Sequence, residues 1–149
     1  MQADYCIDET QIFAVGHSLG GSFVASLACY RGDLLRGVAI VGGGFVAGND
    51  CRGELAALLM HNPADDLSLI EWGESARDRI LELNGLRPVS MPAEPATFNC
   101  RRYGPIGGPN PVVWCEHGIS HSSSGRYYPH TWPAGAGAAI IAFFDALDR

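Results

Sequence analysis

QIFAVGHSLGG, residues 11–21, joins an apolar run to a serine flanked by glycines and leads into a stretch of small residues. The run 11–15 shows no polar alternation, which is typical of a strand buried on both faces of a parallel sheet. Residues 19–30 repeat apolar side chains at helical spacing, and Gly32 ends them. A strand, a sharp turn at a serine and a helix are the parts of a nucleophile elbow.

Ser18 stands at the turn of this elbow. Serine is a poor nucleophile unless a base lies beside it and a third group orients that base. Gly16 and Gly20, two residues before and after the serine, permit the tight turn that presents its hydroxyl above the sheet. We expect the backbone N–H of Leu19 to be an oxyanion-hole donor, because it lies at a helix N-terminus. Ser18 is therefore predicted to be the nucleophile of an esterase; the alternative is a chance motif in which it only caps the helix.

The remaining chain alternates apolar runs with helical spacing, which indicates an α/β fold with a mostly parallel sheet and flanking helices. Residues 55–60 are expected to form a strand, with a short helix as the alternative, and 86–110, rich in Pro, Gly and Arg, are expected to be irregular. The other predicted strands are 37–42 and 112–115, and the other predicted helices are 72–84, stopped by Gly85, and 134–148.

In serine hydrolases of the α/β-hydrolase fold, the acid and then the base follow the nucleophile along the chain. Asp65, in a polar loop after the 55–60 run, is our choice for the acid, with Asp66 as the alternative. The base is expected between the last strand and the last helix. His130 lies directly before that helix and is favoured over His121 and His117.

Other side chains are candidates for contact with substrate. His17 is next to the nucleophile on a sharp turn, so it is expected to line the site rather than to act as the base. Trp132 is assigned to substrate binding with it. Trp72, Tyr127 and Tyr128 could also stack on an aromatic acid, although such residues serve packing equally often.

Composition restricts the partners. Of 149 residues, 47% are apolar and 17% charged, the net charge is −6, and all ten basic residues are arginines without a basic stripe, so nucleic acid is not expected as a partner. The longest apolar run is too short to cross a membrane. No cofactor and no metal are expected, because Cys115, His117 and His121 lack a compactly spaced fourth ligand.

At these motifs the chain resembles the secreted α/β-hydrolases of the feruloyl esterase and polyhydroxybutyrate depolymerase-like family. The elbow and Cys29 after it, the acid loop 61–65 and the His-x-Trp-Pro of 130–133 carry the likeness; Asn62 replaces the usual glycine of the acid loop. The resemblance implies an acyl-enzyme esterase acting on feruloyl esters of plant cell-wall polysaccharide. Polyester depolymerase and acetyl-xylan esterase are the alternatives, as is a truncated fragment without activity.

The front of the chain departs from that family. Its members carry four strands and a second oxyanion donor before the elbow strand, whereas here the elbow strand begins about ten residues in. We therefore expect residues 1–149 to be a partial α/β-hydrolase catalytic domain without its N-terminal strands. The strand 11–15 would then be an uncovered sheet edge.

Five cysteines favour an exported protein, although no signal peptide is visible in this chain. Their odd number leaves at least one thiol without a partner in the chain. A bond between Cys6 and Cys29 is expected to tie the start of the elbow strand to the end of its helix. The family's cysteine after Asn-Gly is Leu86 here, which puts a bond from that place to Cys100 in doubt.

Overall fold

The computed structural model describes residues 6–44 and 50–148. These residues form one six-stranded sheet with three α-helices and three short 3-10 turns. The strands are β1 Phe13–His17, β2 Gly37–Val41, β3 Ala56–His61, β4 Ser90–Ala93, β5 Cys100–Tyr103 and β6 Val112–Glu116. The helices are α1 Leu19–Arg31, α2 Ile70–Leu83 and α3 Ala136–Asp145, and the 3-10 turns are Gly32–Leu34, Ala96–Phe98 and Ala146–Asp148.

The sheet has the order β1-β2-β3-β6-β5-β4. The first four of these strands pair in parallel, and β5 and β4 continue the sheet antiparallel. Both faces of the central strands are covered: Val38 and Ile40 of β2 pack into the cluster that includes α1 and α2, whereas Ala39 and Val41 pack into the cluster that includes α3. Burial on both faces explains why these strands are continuous apolar runs, and it confirms the predicted fold class.

Helix α2 ends at Leu83, one residue before the predicted end, and Gly85 stops it as the sequence predicts. Gly85 has a φ of +61°, a left-handed conformation that glycine adopts without steric cost. Its N–H donates to the carbonyl of Glu82, and the N–H of Leu86 donates to the carbonyl of Leu81. These two bonds form a Schellman motif, which satisfies carbonyls left open at the end of the helix.

The prediction that residues 86–110 are irregular is wrong, because this segment contains the hairpin of β4 and β5. Pro92 lies in β4, the outermost strand, where a missing backbone N–H costs no ladder hydrogen bond on the outer side. In β5 only Cys100 and Tyr103 are buried, so the strand shows no simple alternation. The proline in β4 and the uneven burial of β5 explain why the sequence did not predict this strand pair, which widens the sheet.

Several predicted bounds also shift; the helix predicted at 72–84, for example, is α2 and begins two residues earlier, at Ile70. The elbow strand runs from residue 13 to 17 rather than 11 to 15, because Gly16 and His17 continue the parallel pairing with Ile40 and Val41. Residues 56–61 form a strand and not the alternative helix. The closing helix is shorter than 134–148, since α3 begins at Ala136 and passes into a 3-10 turn at Ala146.

The predicted Cys6–Cys29 bond is wrong. Cys29 is bonded to Cys51, and Cys6 is a free, exposed thiol. The reason is local: the chain returns to the end of α1 at residues 50–52, where the N–H of Arg52 donates to the carbonyl of Cys29. A second disulfide joins Cys100 to Cys115, a pair that lies opposite one another on β5 and β6 and needs no cysteine at position 86.

The elbow strand lies at the end of the sheet order, as the sequence predicts. Within the described residues β1 pairs with β2 and with no second strand, and Val15 at its middle is 47% exposed. In α1, the apolar side chains of Leu19 and Phe23 are exposed as well. The helices in the described part of the chain are all too short or too polar to cross a bilayer.

Candidate active site

The turn between β1 and α1 holds Ser18 in a strained conformation, with φ 58° and ψ −126°. A non-glycine residue seldom adopts a positive φ, and such strain is characteristic of nucleophile elbows. Gly16 makes the turn possible, because a Cβ on it would lie 2.2 Å from the carbonyl oxygen of Gly20. The N–H of Ser18 donates to the carbonyl of Val41 at 3.0 Å, which ties the elbow to β2.

The side chains of Ser18, His130 and Asp65 meet above the carboxyl ends of the parallel strands. Ser18 Oγ lies 2.7 Å from His130 Nε2, and His130 Nδ1 lies 2.6 Å from Asp65 Oδ2. Asp65 and His130 are buried, at 5% and 6% exposure, while Ser18 is half-buried. With Nδ1 donating to the carboxylate, Nε2 is free to accept the serine proton, which is the arrangement of a serine hydrolase triad.

Asp65 is held in its ionised form by its surroundings. Burial alone raises the pKa of a carboxyl group, but the N–H groups of Ser68 and Leu67, each donating to Oδ1 at 3.0 Å, act against it. With the bond to His130 they hold the pKa of Asp65 below its usual value. Oδ1 is thereby occupied by backbone donors, and Oδ2 is left to orient His130.

Aromatic rings surround His130. The ring of Tyr128 meets it edge-on at 5.9 Å, and the ring of His17 lies tilted at 5.0 Å. Trp132 in turn meets His17 edge-on at 6.1 Å and is 41% exposed. Burial, and then the neighbouring His130, lower the pKa of His17, which favours its neutral form. Of the two predicted substrate contacts, His17 thus lies beside the base and Trp132 lies beside His17.

The alternative candidates lie elsewhere. Asp66 is exposed, next to the acid but turned to solvent. His121 is exposed and packs its ring against Tyr127 at 5.6 Å. His117 is buried at 2% exposure; burial, with His61 nearby, lowers its pKa to about 4. Cys115 of the metal alternative is bonded in a disulfide.

The N–H of Leu19 is available to a ligand because Leu19 is the first residue of α1 and has no acceptor within the helix. The positive end of the helix macrodipole lies at the same place. The leucine side chain itself is 85% exposed. Two glycines that follow β2 let the chain approach the site closely. A Cβ on Gly43 would lie 2.6 Å from the carbonyl oxygen of Ser18. Gly42 has a φ of +54°, and a Cβ on it would lie 3.6 Å from Asp65 Oδ2 and from His130 Nδ1.

Two residues of the acid loop have structural partners that sequence reasoning missed. His61 Nε2 donates to the carbonyl of Ser68 at 2.7 Å and lies 4.0 Å from Asp65 Oδ2. Asn62 is 3% exposed and forms hydrogen bonds through both ends of its amide. The sequence shows only an asparagine directly after a predicted strand; its burial, which requires partners for the amide, is visible in the structure alone.

Comparison with known proteins shows to which family the chain belongs. Feruloyl esterase D of Neurospora crassa is 32% identical over 128 residues, which are 81% of this chain and 43% of that protein. The chain belongs to a feruloyl esterase-like family of α/β-hydrolases. Feruloyl esterase C of Emericella nidulans is 30% identical to this chain over 98 residues, which are 65% of the chain and 36% of that protein. No protein-family model matches.

A solved structure described as a thermostable esterase shares the fold. It superimposes on this chain with a TM-score of 0.62 and a sequence identity of 18%, and the match covers 97% of this chain and 33% of the solved structure. The chain therefore spans less than half the length of the relatives named here. At this identity the likeness concerns the fold and not the substrate.

Proposed function

We propose that this chain carries the nucleophile, base and acid of a serine carboxylic-ester hydrolase, and that its preferred substrates are feruloyl and related hydroxycinnamoyl esters. The observation that carries the proposal is the pair of hydrogen bonds at 2.7 and 2.6 Å that links Ser18 through His130 to Asp65. The names of the relatives from Neurospora crassa and Emericella nidulans support the choice of acyl group.

The proposed reaction follows from the positions of the protons. Ser18 Oγ attacks the ester carbonyl while His130 Nε2 takes the serine proton, and Asp65 stabilises the imidazolium that forms. The N–H of Leu19 donates to the oxyanion of the tetrahedral intermediate. His130 then returns the proton to the departing alcohol, which leaves an acyl group on Ser18. A water molecule, deprotonated by the same nitrogen, releases the acid and restores the serine.

An aromatic acyl group suits the rings beside the base. Trp132 and Tyr128 are both partly exposed and lie within two residues of His130 in sequence. Exposed aromatic faces contribute to binding when a planar ligand covers them. A hydroxycinnamoyl group offers such a plane next to its ester carbon, whereas an acetyl group does not. We propose further that the alcohol part of the ester belongs to a plant cell-wall polysaccharide. We also propose that the protein is secreted, which its two disulfides support.

Hydrolysis of three esters tests the proposal: methyl ferulate, acetyl-xylan and a short-chain polyester, each with the wild-type chain and with S18A. We expect release of ferulate by the wild-type chain alone, at a higher kcat/KM than for the other two. Faster release of acetate or hydroxyacid would reject the acyl specificity but retain the esterase. Equal rates for the wild-type chain and S18A would reject the esterase itself.

A further inference from the structure

Asn62 occupies the first position after β3, between the strand and the acid Asp65. Its Oδ1 accepts the N–H of Ala64 at 2.9 Å, which shapes the loop as an Asx turn. Its backbone carbonyl accepts the N–H of Asp65 at 3.0 Å. One face of Asn62 therefore sets the course of the loop that presents the acid.

The other face of Asn62 reaches the segment that leads to the base. Its Nδ2 donates to the carbonyl of Ile119 at 2.9 Å and to Oγ of Ser120 at 3.0 Å. Ser120 in turn accepts the N–H of Tyr128 on its carbonyl at 2.7 Å, and the Tyr128 ring meets His130 edge-on. A path of direct contacts thus joins the acid loop to the base, separate from the bond between Asp65 and His130.

We propose that Asn62 is a positioning residue, whose amide ties the acid loop to the 119–128 segment and so fixes the distance between Asp65 and His130. This inference rests on the proposed function. Asn62 touches neither the serine nor the substrate site in this scheme; it acts through the two loops. A displacement of about 1 Å between catalytic groups lowers rates by about 100-fold, so a tie of this kind has a measurable effect.

Asn84 provides a matched control within the same chain. It also forms three side-chain hydrogen bonds: Oδ1 accepts the N–H of Leu55, and Nδ2 donates to the carbonyls of Leu55 and Asn110. These bonds join the segments that precede β3 and β6, whereas those of Asn62 join the segments that follow the same two strands. Loss of either amide removes the same kind of bond, but only Asn62 lies at the catalytic end of the sheet.

Three variants separate positioning from folding: N62A, N62S and N84A. The serine hydroxyl of N62S can still accept the Ala64 N–H, but its side chain is one bond shorter and lacks the two amide donors. The readouts are the thermal midpoint, the rate of phosphonylation of Ser18 by a fluorophosphonate, and the low-field proton resonance of His130 Nδ1–H. The last two report on the catalytic groups without requiring turnover of an ester.

We expect both Asn62 variants to react about 100-fold more slowly with the probe and to lose the low-field resonance. N84A should lower the thermal midpoint comparably and keep the rate and the resonance. The inference is overturned if N62S keeps both, or if N84A loses both to the same extent; N62S decides should N62A fail to fold. If the wild-type chain shows neither resonance nor reaction, the proposed function fails and this inference fails with it.

Discussion

Replacement of Gly16 by alanine should disable the elbow, although it adds only one methyl group. The new Cβ would lie 2.2 Å from the carbonyl oxygen of Gly20 and 2.7 Å from the backbone nitrogen of Gly21. Carbon and oxygen seldom approach closer than about 3.3 Å, so the backbone must move by about 1 Å. Since the gap from Ser18 Oγ to His130 Nε2 is 2.7 Å, such a shift exceeds hydrogen-bond reach.

The expected loss is about 100-fold in reactivity, with about 1–3 kcal/mol of stability lost to overpacking. Gly20 is the matched control: the motif predicts that the turn needs it too, but a Cβ on it meets no described atom within 4 Å, so the structure places the steric requirement on Gly16 alone of the two. G20A should keep the rate and gain about 0.5–1 kcal/mol from the higher helix propensity of alanine. Rates of fluorophosphonate labelling and thermal midpoints provide the measurement. Wild-type labelling by G16A would refute the steric argument, as would an equal loss in G20A.

Three further predictions concern the acid, a buried histidine and the disulfides. D65N should lower the labelling rate by about 10⁴-fold, because the amide cannot stabilise the imidazolium or hold its tautomer; a loss under tenfold would contradict the role of the acid. His117 has a pKa of about 4 in the folded chain against 6.5 when unfolded. The unfolded chain therefore binds more protons between these values, and this histidine should lower the free energy of unfolding by about 3 kcal/mol as pH drops through that window. H117Q should lack this contribution and keep only the fall due to other groups, such as His17, whose pKa is also lowered. Paired serine substitution of Cys29 with Cys51, or of Cys100 with Cys115, should lower the free energy of unfolding in urea by about 3 kcal/mol. Alkylation without reduction should label a single thiol among the described cysteines, that of Cys6.

The parts of the fold that follow local rules could be predicted from the sequence. The elbow strand, α1 and the two central strands are continuous apolar or helical patterns, and the glycine at 85 marks the end of α2. Ser18 could be selected from its glycine-flanked elbow, Asp65 from its loop after a strand, and His130 from its place directly before the last helix. The structure brings these three together, and their roles remain part of the proposal.

The parts that depend on long-range pairing could not be predicted. Strand β5 is stabilised by β6 and by the Cys100–Cys115 bond, neither of which its own sequence reveals. The partner of Cys29 depends on where the chain returns after β2. The role of Asn62 required knowledge of which carbonyls lie opposite it, since the sequence shows only that an asparagine replaces a glycine.

The central claim is that Ser18 is activated by His130 and Asp65. Its most direct test is mass spectrometry of the folded chain after reaction with a fluorophosphonate, in parallel with S18A and H130A. The account predicts one phosphonyl group per chain, on the peptide that contains Ser18, with no adduct in S18A and strongly slowed labelling in H130A. A folded wild-type chain with no adduct, or with its adduct on another residue, would contradict the claim.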